Sequence, residues 1–226
     1  VHDFLWKGGY PELWAENLDA PEFYEDYIQT YLERDLKQIL NISNRYDFRR
    51  FMSLLVLRTG QLVQYFSISK ELGVSVNTIK SWVNTLEIAG LIVLLPPYFN
   101  NLGKRLIKTS KLYFCDNGFA ASHLNITSYS EYEKSLYRGN LWENFVFAEL
   151  MKSGYMPGKQ LFYFRDQNGV EMDFILEANG RTTLIEAKHN ERPKDDKLNF
   201  RKIAPLFDKE VDCVVACGIP EKGFLH

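Results

Sequence analysis

Residues 170–188 read VEMDFILEANGRTTLIEAK. Asn179-Gly180 is a strong two-residue hairpin signal, since a type I′ turn needs positive φ at both central residues. Strand-like runs flank it on both sides. A turn centred there pairs Ala178 with Arg181, so Asp173 comes opposite Glu186 and Glu171 opposite Lys188. Cross-strand partners share a face with Cβ atoms about 5 Å apart. The period of two puts Asp173, Glu171, Glu186 and Lys188 on that one face. Two facing carboxylates repel, so the pairing predicts a cation between them, and oxygen ligands favour Mg²⁺ or Mn²⁺. Lys188 beside them would hold a phosphate oxygen or lower the pKa of an attacking water. A one-residue slip removes the arrangement, so it hangs on the turn.

Further carboxylate and strand signals surround the hairpin. Residues 139–151, GNLWENFVFAELM, form an aromatic-rich helical pattern. Glu143 has Val146, Phe147 and Leu150 at i+3, i+4 and i+7, which sets it on an apolar face where a carboxylate needs a partner. That partner is a metal, or else an arginine such as Arg138 or Arg165. Taken singly, strand acids and lysines form solvated ion pairs; together they point to a metal. Periodicity predicts a helix over 140–152, strands near 161–166, 170–177 and 182–188, a helix over 195–207 and a strand over 211–217. The order is α-β-β-β-α-β.

The N-terminal half reads differently. Residues 1–20 are irregular. Over 21–40 the spacing of Tyr24, Ile28, Leu32, Leu36 and Ile39 predicts a helix, and Asp47 is a candidate cap for a second, with Phe48, Phe51, Met52, Leu54 and Leu55 inward. Residues 67–72 predict a short helix, Gly73 a turn, and Ser75 the cap of a longer helix to Ala89. A strand over 91–95 follows. That is the layout of a winged helix-turn-helix. Its second helix buries Val76, Ile79, Val83 and Leu86, with Trp82 packing beside them. Asn77, Thr78, Lys80, Ser81 and Asn84 are left to read base edges in a major groove. The acid-free segment 101–111, with Lys104, Arg105, Lys108 and Lys111, suits phosphate contact. The structural alternatives are a protein–protein module and a solvated loop. A polar stretch over 122–138 marks a boundary. The expected organisation is a junction (1–20), a helical and winged-helix domain (21–125) and an α/β restriction-endonuclease-like domain (126–226), giving a two-domain α+β fold.

Composition bounds these readings. The chain has 226 residues, 27 Lys plus Arg against 29 Asp plus Glu, and a formal net charge of -2. That balance excludes a globally basic nucleic-acid coat but not a local basic patch. With 46% hydrophobic and 15% aromatic residues it excludes disorder. The longest apolar run, 91–95, is too short for a bilayer, and no secretory signal opens the chain. Cys115, Cys213 and Cys217 lack a C-x-x-C pair. They are expected to be buried as small apolar residues in a reducing, cytoplasmic setting. His2, His123, His189 and His226 have no ligand spacing. Gly103-Lys104 and Gly158-Lys159 both fail as phosphate-binding loops, so this sequence cannot hold ATP by that route. The first residue is valine, and the chain is expected to be a piece of something longer.

Asp173, twelve residues, then Glu186-Ala187-Lys188, preceded by a helical Glu143, resembles the PD-(D/E)XK nuclease superfamily. The runs TYLERDLKQIL, KELGVSVNTIKSWVNTLEIAGLIVLLPPYF, GKRLIKTSKLYFCDNG, GNLWENFVFAEL and EMDFILEANG…LIEAKH resemble the C-terminal part of a group of predicted AAA+ superfamily ATPases. The resemblance covers nearly the whole chain. It implies a winged helix joined to a nuclease-like domain, with the ATPase module and its ATP lying upstream and FLWKGGYPEL as the junction. It further implies that Asp173 and Glu186 bind Mg²⁺ or Mn²⁺. Glu143 would bind it directly or through water, and Lys188 would position or activate water. DNA is the implied partner. The residue before the metal-binding acid is Met172 where the superfamily pattern has proline; proline is not a ligand. Some members of that superfamily are binding modules. A non-catalytic regulatory or protein-interaction domain of the same ATPase is therefore the alternative.

Overall fold

The computed structural model describes residues 2–30, 45–98, 108–189 and 198–218. Lys104, Arg105 and the helical positions Leu32, Leu36 and Ile39 lie outside the described residues. The fold is α+β, with two sheets among the described residues. It divides into two compact units, one of residues 1–93 with 112–148 and the other of 94–111 with 149–226. Neither is a single stretch of sequence, whereas the sequence predicts contiguous parts with boundaries at residues 20 and 125.

In the first unit, α1 (His2–Lys7) and α2 (Pro11–Ala15) precede α3 (Ala20–Tyr27). The Asp19 carboxylate accepts from Glu22 N at the start of α3. Tyr24 and Ile28 are buried, as the spacing predicts. The next helix, α4 (Arg45–Val56), buries Phe48, Phe51, Met52 and Leu55. Arg45 is already helical, so Asp47 lies inside the first turn instead of capping it, where its charge still favours the helix dipole. Then α5 (Tyr65–Leu72) ends at Gly73, whose φ of 72° lets its N–H reach Ser69 O. Ser75 Oγ accepts from Thr78 N at 3.0 Å and starts α6 (Val76–Ile88). This helix buries Ile79, Trp82, Val83 and Leu86. Trp82 meets Phe51 edge-on at 5.1 Å, a packing role.

Strands β1 (Ile92–Leu95) and β2 (Lys111–Phe114) form a two-stranded sheet. Helices α7 (Asn117–His123), α8 (Tyr129–Lys134) and α9 (Arg138–Lys152) follow. Asp116 ties three segments of this unit together. Its carboxylate accepts from Phe119 N at the start of α7, from the Tyr24 hydroxyl at 2.6 Å and from Gly9 N at 2.7 Å. A Cβ at Gly8 would come 2.3 Å from both Asp116 Oδ1 and the Tyr24 oxygen, so the N-terminal loop can approach only as glycine.

The second unit is built on a four-stranded sheet of β3 (Leu161–Arg165), β4 (Glu171–Ala178), β5 (Arg181–Lys188) and β6 (Val211–Cys217), in that spatial order. The first three are antiparallel neighbours, and β6 runs parallel to β5. The crossover between them includes α10 (Phe200–Ile203) and a 3₁₀ turn at Ala204–Leu206. Phe200 and Ile203 pack with Ile175, Leu184 and Phe164 in one core cluster. From α9 onward the order is α-β-β-β-α-β, as the periodicity predicts. Of the expected helix over 195–207, residues 195–197 lie outside the described residues.

Candidate functional site

The hairpin turn forms at Asn179-Gly180, with φ of 53° and 76°. Both are positive, as a type I′ turn requires. The ladder runs without slip from Ala178–Arg181 to Phe174–Ile185. One step further Asp173 Oδ2 accepts from Ala187 N at 2.8 Å, so a side chain takes over from the ladder. Asp173 and Glu186 are both buried, at 9% and 5% exposure. Burial is the main force raising the Asp173 carboxyl, to about 6. The Lys111 ammonium opposes that rise, the Glu186 charge adds to it, and the Ala187 N–H and Lys188 oppose it. The Glu186 charge thus opposes ionisation of Asp173.

Lysines and an arginine supply the positive charge here. Lys188 Nζ lies 2.6 Å from Glu186 Oε1. The expected pairing of Glu171 with Lys188 falls beyond the β4–β5 ladder, which ends at Phe174–Ile185; on the other side of β4, Glu171 is the cross-strand partner of Arg165 on β3, whose Nη1 donates to it at 2.9 Å. A second cation on Glu171 is Lys111, which also stands 3.7 Å from Asp173 Oδ1. Lys111, expected among four cations facing phosphate, is instead 1% exposed and inside the ion-pair network. Nothing local marks it. Sixty residues separate it from Glu171, and only its place at the head of a KLYF strand hints at burial.

Other expected residues have the following surroundings. Glu143 belongs to the first unit, where its Oε1 accepts from the Tyr113 hydroxyl at 2.5 Å, instead of from Arg138 or Arg165. Those two arginines bind the Glu133 carbonyl and Glu171. On α6, Asn77, Lys80, Ser81 and Asn84 are exposed, while Thr78 is half-buried against Ser75. The Lys80 ammonium sits 5.9 Å above the Tyr65 ring. Lys108 is exposed. Cys213 is exposed and Cys115 and Cys217 half-buried, which corrects the expectation of three buried thiols. No helix of the described residues is long and apolar enough to cross a membrane.

Among the described residues, no group of three or more His, Cys, Asp or Glu side chains is arranged to hold a metal ion. The pair Asp173 and Glu186 still suits a hard divalent cation. Mg²⁺ is commonly held by one or two carboxylates, with water and substrate phosphate completing its shell.

A family model described as Domain of unknown function (DUF8612) matches residues 1–130, more than half of the chain. The chain belongs to the DUF8612 family. A second model, Domain of unknown function (DUF4143), matches residues 138–218 of this DUF8612 chain, which span the described run from α9 to β6. DUF4143 is a domain found in AAA-ATPase-associated proteins. The chain is 31% identical over 194 residues to the uncharacterized protein Rv2008c of Mycobacterium tuberculosis, and equally to the uncharacterized protein Mb2031c of Mycobacterium bovis. Each match covers 84% of this chain and 44% of the relative. The uncharacterized protein MJ1544 of Methanocaldococcus jannaschii is 26% identical over 186 residues, covering 78% of this chain and 39% of the relative. The chain thus spans less than half the length of the curated relatives it matches. No solved structure matches this DUF8612 chain.

Proposed function

We propose that this chain is the nucleic-acid-directed C-terminal arm of an AAA+ ATP-binding protein, and that its four-stranded unit is a restriction-endonuclease-like fold with a phosphodiester-cleaving site. One observation carries the reading: a type I′ turn sets the register that brings Asp173, Glu186 and Lys188 together at one end of a hairpin. In this reading Asp173 and Glu186 would hold a Mg²⁺ or Mn²⁺ ion. When bound, such an ion polarises a phosphodiester and lowers the pKa of an attacking water. The Ala187 N–H fixes the Asp173 carboxylate, and the sheet core fixes both strands. Lys188, at the half-exposed edge of the site, orients a phosphate oxygen or the water. The helix-turn-helix and the β1–β2 sheet are read as a winged helix that brings DNA through Asn77, Lys80 and Ser81, with Lys104, Arg105 and Lys108 toward phosphate. ATP belongs to an upstream module.

The test is Mg²⁺- and Mn²⁺-dependent cleavage of plasmid and single-stranded DNA, with Asp173→Ala and Glu186→Ala as controls. Cleavage that needs the metal and is lost in both variants is expected. Cleavage that persists in them, or none with either metal, refutes the catalytic part. A second reading, a non-catalytic interaction domain of the same ATPase, draws on the apolar side chains of the helix-turn-helix: Phe66 and Ile88 are 73% and 79% exposed. It expects full function after Lys188→Ala and loss of a protein contact, with DNA affinity intact, after Phe66→Lys.

A further inference from the structure

Lys111 is an unusual lysine. Its side chain is almost wholly out of water, and an ammonium there persists only when paired. The pairing is with Glu171 and, at 3.7 Å, with Asp173 Oδ1. Its nitrogen also lies 5.7 Å from the centre of the Tyr163 ring, whose face attracts a cation. The backbone that carries it is held on β3, because the Tyr163 hydroxyl donates to Thr109 O. Arg165 already neutralises Glu171, so the charge of Lys111 also answers Asp173.

Charge counting makes the consequence plain. Among the described residues, three acids, Glu171, Asp173 and Glu186, meet three bases, Lys111, Arg165 and Lys188. Those six charges cancel. A divalent cation added to them leaves two surplus positive charges in a buried site, where like charges repel far more than in water. It would also compete with an ammonium already beside one of its two carboxylate ligands. An incoming phosphate brings the negative charge that relieves this surplus.

We propose that Lys111 competes with the divalent cation for Asp173, so that the ion binds weakly to the protein alone and loads together with a phosphodiester. This rests on the reading of Asp173 and Glu186 as the cation's ligands. Lys111 is thus a positioning residue that acts through Asp173, and no contact of its own with substrate is invoked.

The experiment is calorimetric titration of Mn²⁺ into the full chain as wild type, Lys111→Met, Lys111→Gln and Lys111→Arg, with folding checked by circular dichroism. Removing the charge is expected to tighten Mn²⁺ binding at least about tenfold, or about 1.4 kcal/mol. Lys111→Arg is expected to bind as the wild type does, and Asp173→Asn in the Lys111→Met background to abolish the gain. Equal affinity for wild type, Met and Gln variants overturns the proposal while leaving the metal reading intact. Mn²⁺ binding to none of them sinks the metal reading and the proposal with it. A readout on the wild type guards against variants that fail to fold: reductive methylation of Lys111, followed by mass spectrometry, should rise at saturating Mn²⁺. Unchanged methylation counts against displacement and overturns the proposal.

Discussion

Replacing Asp116 with alanine should unfasten the N-terminal segment from the helices it touches. The carboxylate accepts three hydrogen bonds: from Phe119 N at 3.1 Å, from the Tyr24 hydroxyl at 2.6 Å and from Gly9 N at 2.7 Å. The first is a helix cap, worth about 1 kcal/mol. The other two are hydrogen bonds to a charged group, each of about 1.5–3 kcal/mol. The Tyr24 oxygen also lies 3.1 Å from Lys7 O and can turn its proton there, so its share is partly recovered. A loss of about 3 kcal/mol is the expected result, with Asp116→Asn retaining about half of it. All four tryptophans lie in the first unit, so their fluorescence during urea unfolding reports on that unit. Tyr24→Phe in both backgrounds closes a double-mutant cycle, and a coupling of about 1 kcal/mol is expected. An Asp116→Ala variant within about 0.5 kcal/mol of wild type, which is the scatter of ordinary surface changes, would refute the claim that this carboxylate clasps the unit together.

Two glycines with no atom within 4 Å of an added Cβ should answer alanine with opposite signs. Gly180→Ala meets φ +76° in the hairpin turn and should cost about 1–2 kcal/mol, read as a lower melting temperature. Gly139→Ala, in α9, should stabilise by about 0.5–1 kcal/mol. His123 Nδ1 donates to Phe119 O, and burial, the largest cause, lowers its pKa in the folded state. Glu25 and Arg49 face it with opposing effects. A depressed histidine favours the neutral form in the folded chain, so its contribution is whole above about pH 6.5 and is lost as pH falls below that. Urea unfolding at pH 7.5 and 5.5 should therefore differ less in His123→Gln than in wild type.

What the sequence revealed followed the range of the forces involved. The Asn179-Gly180 turn, the Gly73 stop and the Ser75 cap depend on backbone conformation within a few residues, and each formed where expected. The ladder then holds register as far as Phe174–Ile185, one step short of Asp173 and Glu186, and the Ala187 N–H donates to the Asp173 carboxylate beyond it. Lys111 is hard to read locally because its role is set by Glu171 and Asp173, far away in sequence, while the nearest lysine before it, Lys108, is exposed. Glu143 was correctly placed on a partly apolar helix face needing a partner, but Tyr113, thirty residues earlier, supplies it. Cys213 came out exposed because it lies on β6, which has a hydrogen-bonded neighbour on one side among the described residues.

The interleaving of the two units bears on how the chain is made. Residues 94–111 leave the ribosome before their partners at 149–226 exist, and they wait while the intervening stretch is synthesised. The first unit in turn cannot close until residue 148 has emerged. Buried Lys111 is therefore translated long before the acids that neutralise it, and remains hydrated until β4 arrives. Long-range closure of this kind slows folding. It also means that no single proteolytic cut releases either unit whole, so the two are inherited, expressed and degraded as one object.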